Sequence, residues 1–160
     1  MTADPQSRIP SRASGTLDDA SPFTLGLLLR RAHWRANAAL AEALRPLGIE
    51  LRHYAVLMEI ADRGPTAQRD LAGATGSDKA GIMRVVDDLE RRGLAVRKCV
   101  PGDRRVRAVE MTPEGVRVFD AAHAVALPAA ERLAAGLEPG ELGQLTELLT
   151  RLSRPAAREA

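Results

Sequence analysis

The sequence contains few aromatic residues, a single cysteine and no long apolar run. Aromatic residues make up 2% of the 160 residues, and the apolar content of 45% comes mostly from Ala, Leu and Val, which favours helices over sheets. The lone Cys99 excludes an internal disulfide and is typical of a reducing compartment. Apolar runs fall short of the ~18 residues of a membrane span, and the N-terminus lacks a signal-peptide pattern. We therefore expect a mainly helical, cytoplasmic protein without a membrane partner.

Positive charge is concentrated in one third of the chain. The segment from Arg63 to Arg107 contains 11 Lys and Arg against 6 Asp and Glu, a net charge of +5, whereas the whole chain carries +2 and its remainder −3. A cationic segment within a mildly acidic chain is typical of a module that binds a polyanion. A solvated basic face is the alternative, and charge alone does not separate the two.

The apolar pattern divides the chain into four segments. Residues 1–20 are rich in Ser, Pro, Asp and Arg and have no apolar period, which predicts a disordered tail. Residues 21–50 hold a long helix that is apolar on two faces, so the second face needs a cover such as another subunit. Residues 51–112 form a central lobe, and residues 113–155 hold two further helices, the last with a narrow leucine seam.

The central lobe begins with three predicted helices. The first covers residues 51–63, Thr66 is expected to cap a short helix over 67–74, and Ser77 to cap a fourth helix of the chain that ends near Arg92. Two helices joined by a short turn with a glycine form a helix-turn-helix. The helix over residues 51–63 is expected to bury four side chains at helical spacing: Tyr54, Leu57, Met58 and Ala61.

The end of the lobe changes to a strand pattern. Residues 94–100 and 105–112 alternate Val with charged residues around a turn at 101–104, which predicts a β-hairpin. The hairpin carries five cations: Arg97, Lys98, Arg104, Arg105 and Arg107. An arginine at such a tip is able to enter a minor groove of DNA, and Asp103 is spaced to orient the guanidinium of Arg105.

The helix that follows Ser77 has the composition of a DNA-recognition helix. Four apolar residues share one face and are expected to anchor it: Ile82, Val85, Val86 and Leu89. Its other face begins with small or cationic residues, which suits insertion in the major groove: Lys79, Ala80, Gly81 and Arg84. Ser77 and the first-turn amides are candidates for a phosphate oxygen. The negative charge of Asp78 is favourable at the positive end of the helix dipole. Alternatively, its carboxylate accepts a hydrogen bond from a cytosine amine.

Four pieces of this lobe resemble the MarR family of winged helix-turn-helix regulators. They are "RDLA", "VVDDLERRGL", "PGDRR" and "VEMTPEG", in the family's order and spacing, and the similarity spans roughly Leu44 to Phe119. The flanking helices fit the same architecture. The run Lys79-Ala80-Gly81 departs from the small hydroxyl residues that are common there in the family, so no operator sequence is transferred.

The resemblance implies a function and a mode of assembly. It implies a homodimer, with 21–50 and 113–155 as dimerisation helices, that acts as a ligand-responsive repressor on double-stranded DNA. The helix over 78–92 then enters a major groove and Arg104 or Arg105 the adjacent minor groove, while Asp103 and Arg105 match the family's wing-tip Asp-x-Arg motif. The operator is expected to be a pseudo-palindrome with half-sites about one helical turn apart.

Family resemblance also implies a small aromatic or phenolic effector, bound between the dimerisation helices and the DNA-binding lobe. The candidate residues are His33, Trp34, His53 and Tyr54. The alternative is that Trp34 and Tyr54 pack in the core or at the interface and that both histidines lie at the surface or at its edge.

Other chemistry is poorly supported by the sequence. One cysteine and three widely spaced histidines give no metal-ligand pattern, and no cofactor is expected. Motifs for phosphate loops, nucleophile elbows or His–carboxylate catalysis are missing, so we do not expect an enzyme. Cys99 is either a redox sensor beside basic residues or incidental. The alternative function is an adaptor that keeps the fold and binds another protein, although the cations of the helix and hairpin argue against it.

Overall fold

The computed structural model describes residues 21–100 and 103–154, and of Val100 and residues 103–106 it describes the backbone only. This part of the chain is mainly helical, with one small antiparallel sheet in the order β1-β3-β2, which confirms the predicted fold class. The elements are α1 (Pro22–Leu44), α2 (Leu51–Arg63), β1 (Thr66–Ala67), α3 (Gln68–Thr75), α4 (Lys79–Arg91), β2 (Ala95–Val100), β3 (Asp103–Met111), α5 (Pro113–Ala134) and α6 (Glu141–Ser153). The predicted tail, residues 1–20, lies outside the described residues.

Contacts divide the chain into two units, Met1–Arg35 and Ala36–Ala160. In the first unit, Ser21 caps the start of α1, because its hydroxyl accepts a hydrogen bond from the amide of Phe23 at 3.3 Å. Pro22, at the first helical position, has no amide proton to leave unpaired. Several large apolar side chains of α1 in this unit are exposed to solvent: Phe23, Leu25, Leu27, Leu28 and Trp34.

The core of the second unit lies among α2, α3, α4 and the sheet. It includes Leu44, Leu57, Leu71, Val86 and Leu89, all without exposed surface. The predicted inward face of α2 is wrong at two positions, because Met58 and Ala61 are exposed. The side chains buried in their place are His53, Val56 and Ile60. Leu57 belongs to both possible stripes of this helix, so the sequence pattern did not decide between them.

The predicted helix cap at Thr66 is also wrong. Thr66 lies in strand β1, where it pairs with Val109 of β3, and its hydroxyl donates to the carbonyl of Gly64 at 2.8 Å. Helix α3 starts two residues later, after Ala67, without a side-chain cap. The pairing with β3 satisfies backbone groups of Thr66 and Ala67 themselves, so these two residues extend the sheet and do not begin the helix. A strand of two residues is too short to show a period in sequence.

The two hairpin strands match the predicted positions within two residues. β2 and β3 pair antiparallel, with Arg97 opposite Val109 and Cys99 opposite Arg107, and the register shifts between Cys99 and Val100. Helix α5 then begins behind Thr112, whose hydroxyl accepts the amide proton of Gly115 at 2.9 Å.

Candidate nucleic-acid interface

Helix α4 is anchored on one face and open on the other. Its predicted anchors are all buried: Ile82, Val85, Val86 and Leu89. On the opposite side Lys79, Ala80 and Arg84 are exposed, and Gly81 is half-buried. Arg84 has no ion pair among the residues that the structure describes. An anchored helix that presents small and cationic side chains is able to approach a duplex closely, and we refer to α4 as the recognition helix.

The cap of the recognition helix is Asp78, not Ser77. The Asp78 carboxylate accepts a hydrogen bond from the amide of Gly81 at 2.5 Å, which also places a negative charge at the positive end of the helix. Ser77 lies one residue before the cap. Its hydroxyl is 3.0 Å from the hydroxyl of Thr75. The geometry therefore supports the dipole interpretation of Asp78, and it leaves the amides of Lys79 and Ala80 as the first-turn candidates for a phosphate.

The acidic residues of the recognition helix are paired with cations. Arg97 of β2 pairs with Asp87 at 2.7 Å and with Glu90, and its own amide donates to Glu90 at 2.9 Å. Asp88 pairs with Arg91 at 2.6 Å. These pairs reduce the repulsion that three carboxylates would exert on DNA phosphates. Sequence reasoning missed this role, because it placed Arg97 with the free cations of the hairpin.

Of the three hairpin cations whose side chains the structure describes, two are thus engaged within the protein. Arg97 forms ion pairs with two carboxylates of the recognition helix, and Lys98 pairs with Glu110 across the two strands. Arg107 is exposed. Together with Arg69 of α3 and Lys79, it lines a groove of about 630 Å³ among α3, α4 and β3. Arg84 lines a different groove, on the side of α4 that carries its acidic residues.

The predicted wing tip falls largely outside the described part of the chain. Residues 101 and 102 are not described, and Asp103, Arg104 and Arg105 form the start of strand β3. Their side chains lie outside the described residues, so the contact between Asp103 and Arg105 stays a prediction.

Two candidate effector residues lie on α1 within the first unit. His33 is exposed and Trp34 is 72% exposed. Trp34 lines an open groove with three arginines of the same helix, Arg30, Arg31 and Arg35. This arginine cluster was not identified from sequence, although the i, i+4 spacing of residues 31 and 35 places them on one face.

The other two effector candidates occupy the core of the second unit. His53 has no exposed surface, so the expectation that it lies at the surface is wrong. Its Nε2 lies 2.8 Å from Oδ2 of Asp88, within ion-pair range, yet neither ring nitrogen has an aligned hydrogen-bond partner among the described residues. The spacing of His53 with Leu57 and Ile60, i, i+4 and i+7, was the sequence signal that it faces the core.

Tyr54 belongs to an aromatic cluster with two residues of α5. Its hydroxyl lies 2.9 Å from Nδ1 of His123, and its ring stacks on Phe119 with centroids 6.0 Å apart. Burial raises the pKa of Tyr54 above 10.0, so the phenol keeps its proton. Phe119 and His123 were not candidates from sequence, since 69 residues separate Tyr54 from His123.

The environment of His53 favours the neutral imidazole. Burial lowers its pKa from 6.5, and Arg92 of the region after α4 acts in the same direction. Asp88 of α4 and Glu50 before α2 raise the pKa, and Arg52 lowers it, without reversing the result.

We expect the free energy of unfolding to decrease as the pH falls below about 6.5. There the histidine of the unfolded chain takes up a proton while folded His53, with its lower pKa, does not, so protons favour unfolding. Urea unfolding between pH 7.5 and 5.5, at fixed protein concentration, measures the slope. In His53→Leu the dependence of the free energy of unfolding on pH should be smaller, because the contribution of His53 is removed while the other histidines are unchanged. Equal slopes in both proteins would contradict this assignment.

Cys99 is exposed on β2. Among the described residues, the helices are too short or too polar to cross a membrane.

Comparison with known proteins gives one family. A sequence profile of the MarR family matches residues 47–106. The chain is 31% identical to the HTH-type transcriptional repressor NicR of Pseudomonas putida over 84% of this chain and 87% of that protein. CouR of Rhodococcus jostii RHA1, solved with p-coumaroyl-CoA, is 34% identical with a TM-score of 0.77, over 84% of this chain and 95% of CouR. A MarR-family transcriptional regulator of Rhodococcus sp. RHA1 is 31% identical with a TM-score of 0.77, over 87% of this chain and 100% of that protein. The chain belongs to the MarR family of transcriptional regulators.

Proposed function

We propose that this regulator is a ligand-responsive repressor that binds a pseudo-palindromic operator as a homodimer. The observation that carries the proposal is the recognition helix, which is anchored by four buried apolar residues and presents an unpaired, exposed Arg84 among the described residues. Recognition helices of a dimer that lie about one helical turn apart would contact successive major grooves. The resemblance to the repressor NicR supports repression.

The proposed contacts fall into two groups. Arg84 reads a base edge, while Lys79, Ala80 and Gly81 allow close approach and Ser77 lies beside the phosphates. Asp78 acts chiefly as the helix cap. At the hairpin tip, Asp103 orients Arg105, and Arg104 or Arg105 enters the minor groove.

Exposed leucines support the homodimer. Leu142, Leu145, Leu148, Leu149 and Leu152 of α6 are each 37–56% exposed and share one face. On α1, Leu25, Leu27 and Leu28 are exposed as well. Each of these two exposed apolar faces, taken by itself, marks an interface, and in our proposal each is covered by the second subunit. The regulator acts in the cytoplasm, by binding and without catalysis.

Selection of bound duplexes from a random library, at two salt concentrations, tests this function. We expect a pseudo-palindromic motif with half-sites about one turn apart, bound more weakly at the higher salt. Salt-sensitive binding without a motif would leave a non-specific DNA binder. The absence of binding at either salt would favour the adaptor that keeps the fold but binds another protein.

The effector in our proposal is an aromatic acid carried as its CoA thioester. CouR is solved with p-coumaroyl-CoA. In this chain, Arg31 and Arg35 stand at i, i+4 spacing beside Arg30 and the exposed ring of Trp34. Like charges at this spacing destabilise a helix, and a bound polyanion with an adenine ring relieves the repulsion while stacking on the indole.

We expect p-coumaroyl-CoA to release the protein from its selected operator at much lower concentration than free p-coumarate. In the double variant Arg31→Ala/Arg35→Ala, the concentration of the thioester needed for release should rise about tenfold or more, since two charge-assisted contacts are lost. Fluorescence anisotropy of labelled operator measures both effects. Equal potency of acid and thioester, or an unchanged response of the variant, would contradict a CoA site at this cluster and leave the repressor assignment intact.

A further inference from the structure

A buried histidine joins α2 to the recognition helix at a cost in stability. His53 has no exposed surface, and its ring nitrogens lack aligned hydrogen-bond partners among the described residues. A buried polar group in this condition is less favourable than an apolar side chain of similar size. Leu57 and Ile60 fill the same face of α2, so packing alone does not require a histidine there.

The contact that His53 does make lies on the recognition helix. Its Nε2 is 2.8 Å from Oδ2 of Asp88, and the same oxygen is 2.9 Å from Nε of Arg92. The guanidinium of Arg92 in turn donates to the carbonyl of Gly48 at 2.9 Å. This chain of contacts fixes the C-terminal half of the recognition helix against α2 and the turn that precedes it. Asp88 lies one helical turn after Arg84, so a contact at Asp88 adds to the buried apolar residues that restrict rotation of this helix about its own axis.

The next residue along α2 makes the corresponding contact with α5. Tyr54 reaches His123 with its hydroxyl and stacks on Phe119. Consecutive side chains of a helix point about 100° apart, so α2 holds the recognition helix with one residue and α5 with the next. A displacement of α5 that moves Tyr54 therefore moves His53 with it.

We propose that His53 is a positioning residue for operator recognition, which sets the orientation of the recognition helix through Asp88 and links it through α2 to the contact between Tyr54 and α5. This inference rests on the proposed function, because it requires a specific operator. His53 does not touch DNA in this arrangement. It affects operator affinity through the direction in which the recognition helix presents the side chain of Arg84.

The variant His53→Leu separates positioning from folding. We expect its affinity for the selected operator to fall about tenfold, while its affinity for a random duplex and its urea midpoint stay equal to or above the wild-type values. His53→Gln keeps a side-chain donor that reaches Asp88, and it should recover most of the operator affinity. Met58→Leu, on the exposed face of the same helix, serves as control and should leave all three quantities unchanged.

The outcomes separate this inference from the proposed function. Wild-type protein that selects no operator would overturn both. A folded His53→Leu protein with wild-type operator affinity, or with equal losses on operator and random duplex, would overturn positioning alone. If His53→Leu does not fold, Asp88→Ala removes the carboxylate that His53 contacts, together with its ion pairs to Arg91 and Arg92. Wild-type operator affinity in that variant would then overturn the inference.

The link to α5 has its own test. Tyr54→Phe removes only the hydroxyl that contacts His123. We expect it to change operator affinity about threefold in the wild-type background and very little in the His53→Leu background, since residues that act through one element give non-additive effects. Equal changes in the two backgrounds would show that Tyr54 does not act through His53.

Discussion

Replacement of Arg84 by alanine is expected to weaken operator binding more than any other single change on the recognition helix. Arg84 is exposed and has no ion pair among the described residues, and it stands on a helix whose other face is fixed in the core. A bidentate contact from arginine to guanine contributes about 1–3 kcal/mol in each half-site, a loss of about tenfold or more in affinity when it is removed. The loss should be confined to one base position per half-site.

The measurement is a competition of single-base variants of the selected operator against Arg84→Ala and wild-type protein at one salt concentration. Arg84→Ala should no longer distinguish bases at that position while it keeps its preferences elsewhere. Arg117→Ala is the control, because Arg117 is an exposed arginine of α5 that pairs with Glu114. Equal losses on every sequence would assign Arg84 to a phosphate instead.

Local sequence patterns predicted helix α2, the buried face of the recognition helix and the hairpin. The bounds of α2 and the buried stripe of the recognition helix follow from apolar spacing, because each amphipathic helix has one face that must be covered. The hairpin follows from the alternation of Val with charged residues around a turn rich in glycine and proline. These features depend on residues close together in sequence.

Contacts between distant segments were beyond the reach of such patterns. Strand β1 exists because β3 offers an edge, and the cationic Arg97 turns inward because Glu90 and Asp87 lie across from it. His53 was an effector candidate with a position at the surface or its edge as the alternative, although its spacing placed it on the buried face. In each case a contact with another element of the fold decided the position of the residue, and local sequence patterns do not contain that contact.

The largest effect on stability is expected at Gly115, in the motif "TPEG" at the start of α5. A Cβ added there would lie 1.9 Å from the carbonyl oxygen of Leu94, which is far closer than atoms in contact, and 3.3 Å from Cβ of Met111. The same carbonyl accepts the amide proton of Thr112 at 3.1 Å. Thr112 also donates its hydroxyl proton to the carbonyl of Gly93 at 2.7 Å. The beginning of α5 is therefore held against the backbone that precedes β2, and only glycine leaves room for this approach.

Gly115→Ala should lower the free energy of unfolding by about 3 kcal/mol or more, because the alanine methyl meets backbone that has no rotamer with which to move aside. Urea unfolding at fixed protein concentration measures the change. Gly73→Ala is the matched control: Gly73 lies in α3, a Cβ there meets nothing within 4 Å, and the change should raise stability by about 0.5–1 kcal/mol through helix propensity. Stability of Gly115→Ala equal to wild type would mean that α5 is free to shift away from Leu94. The cap of α5 would then contribute little to holding Phe119 and His123 against Tyr54.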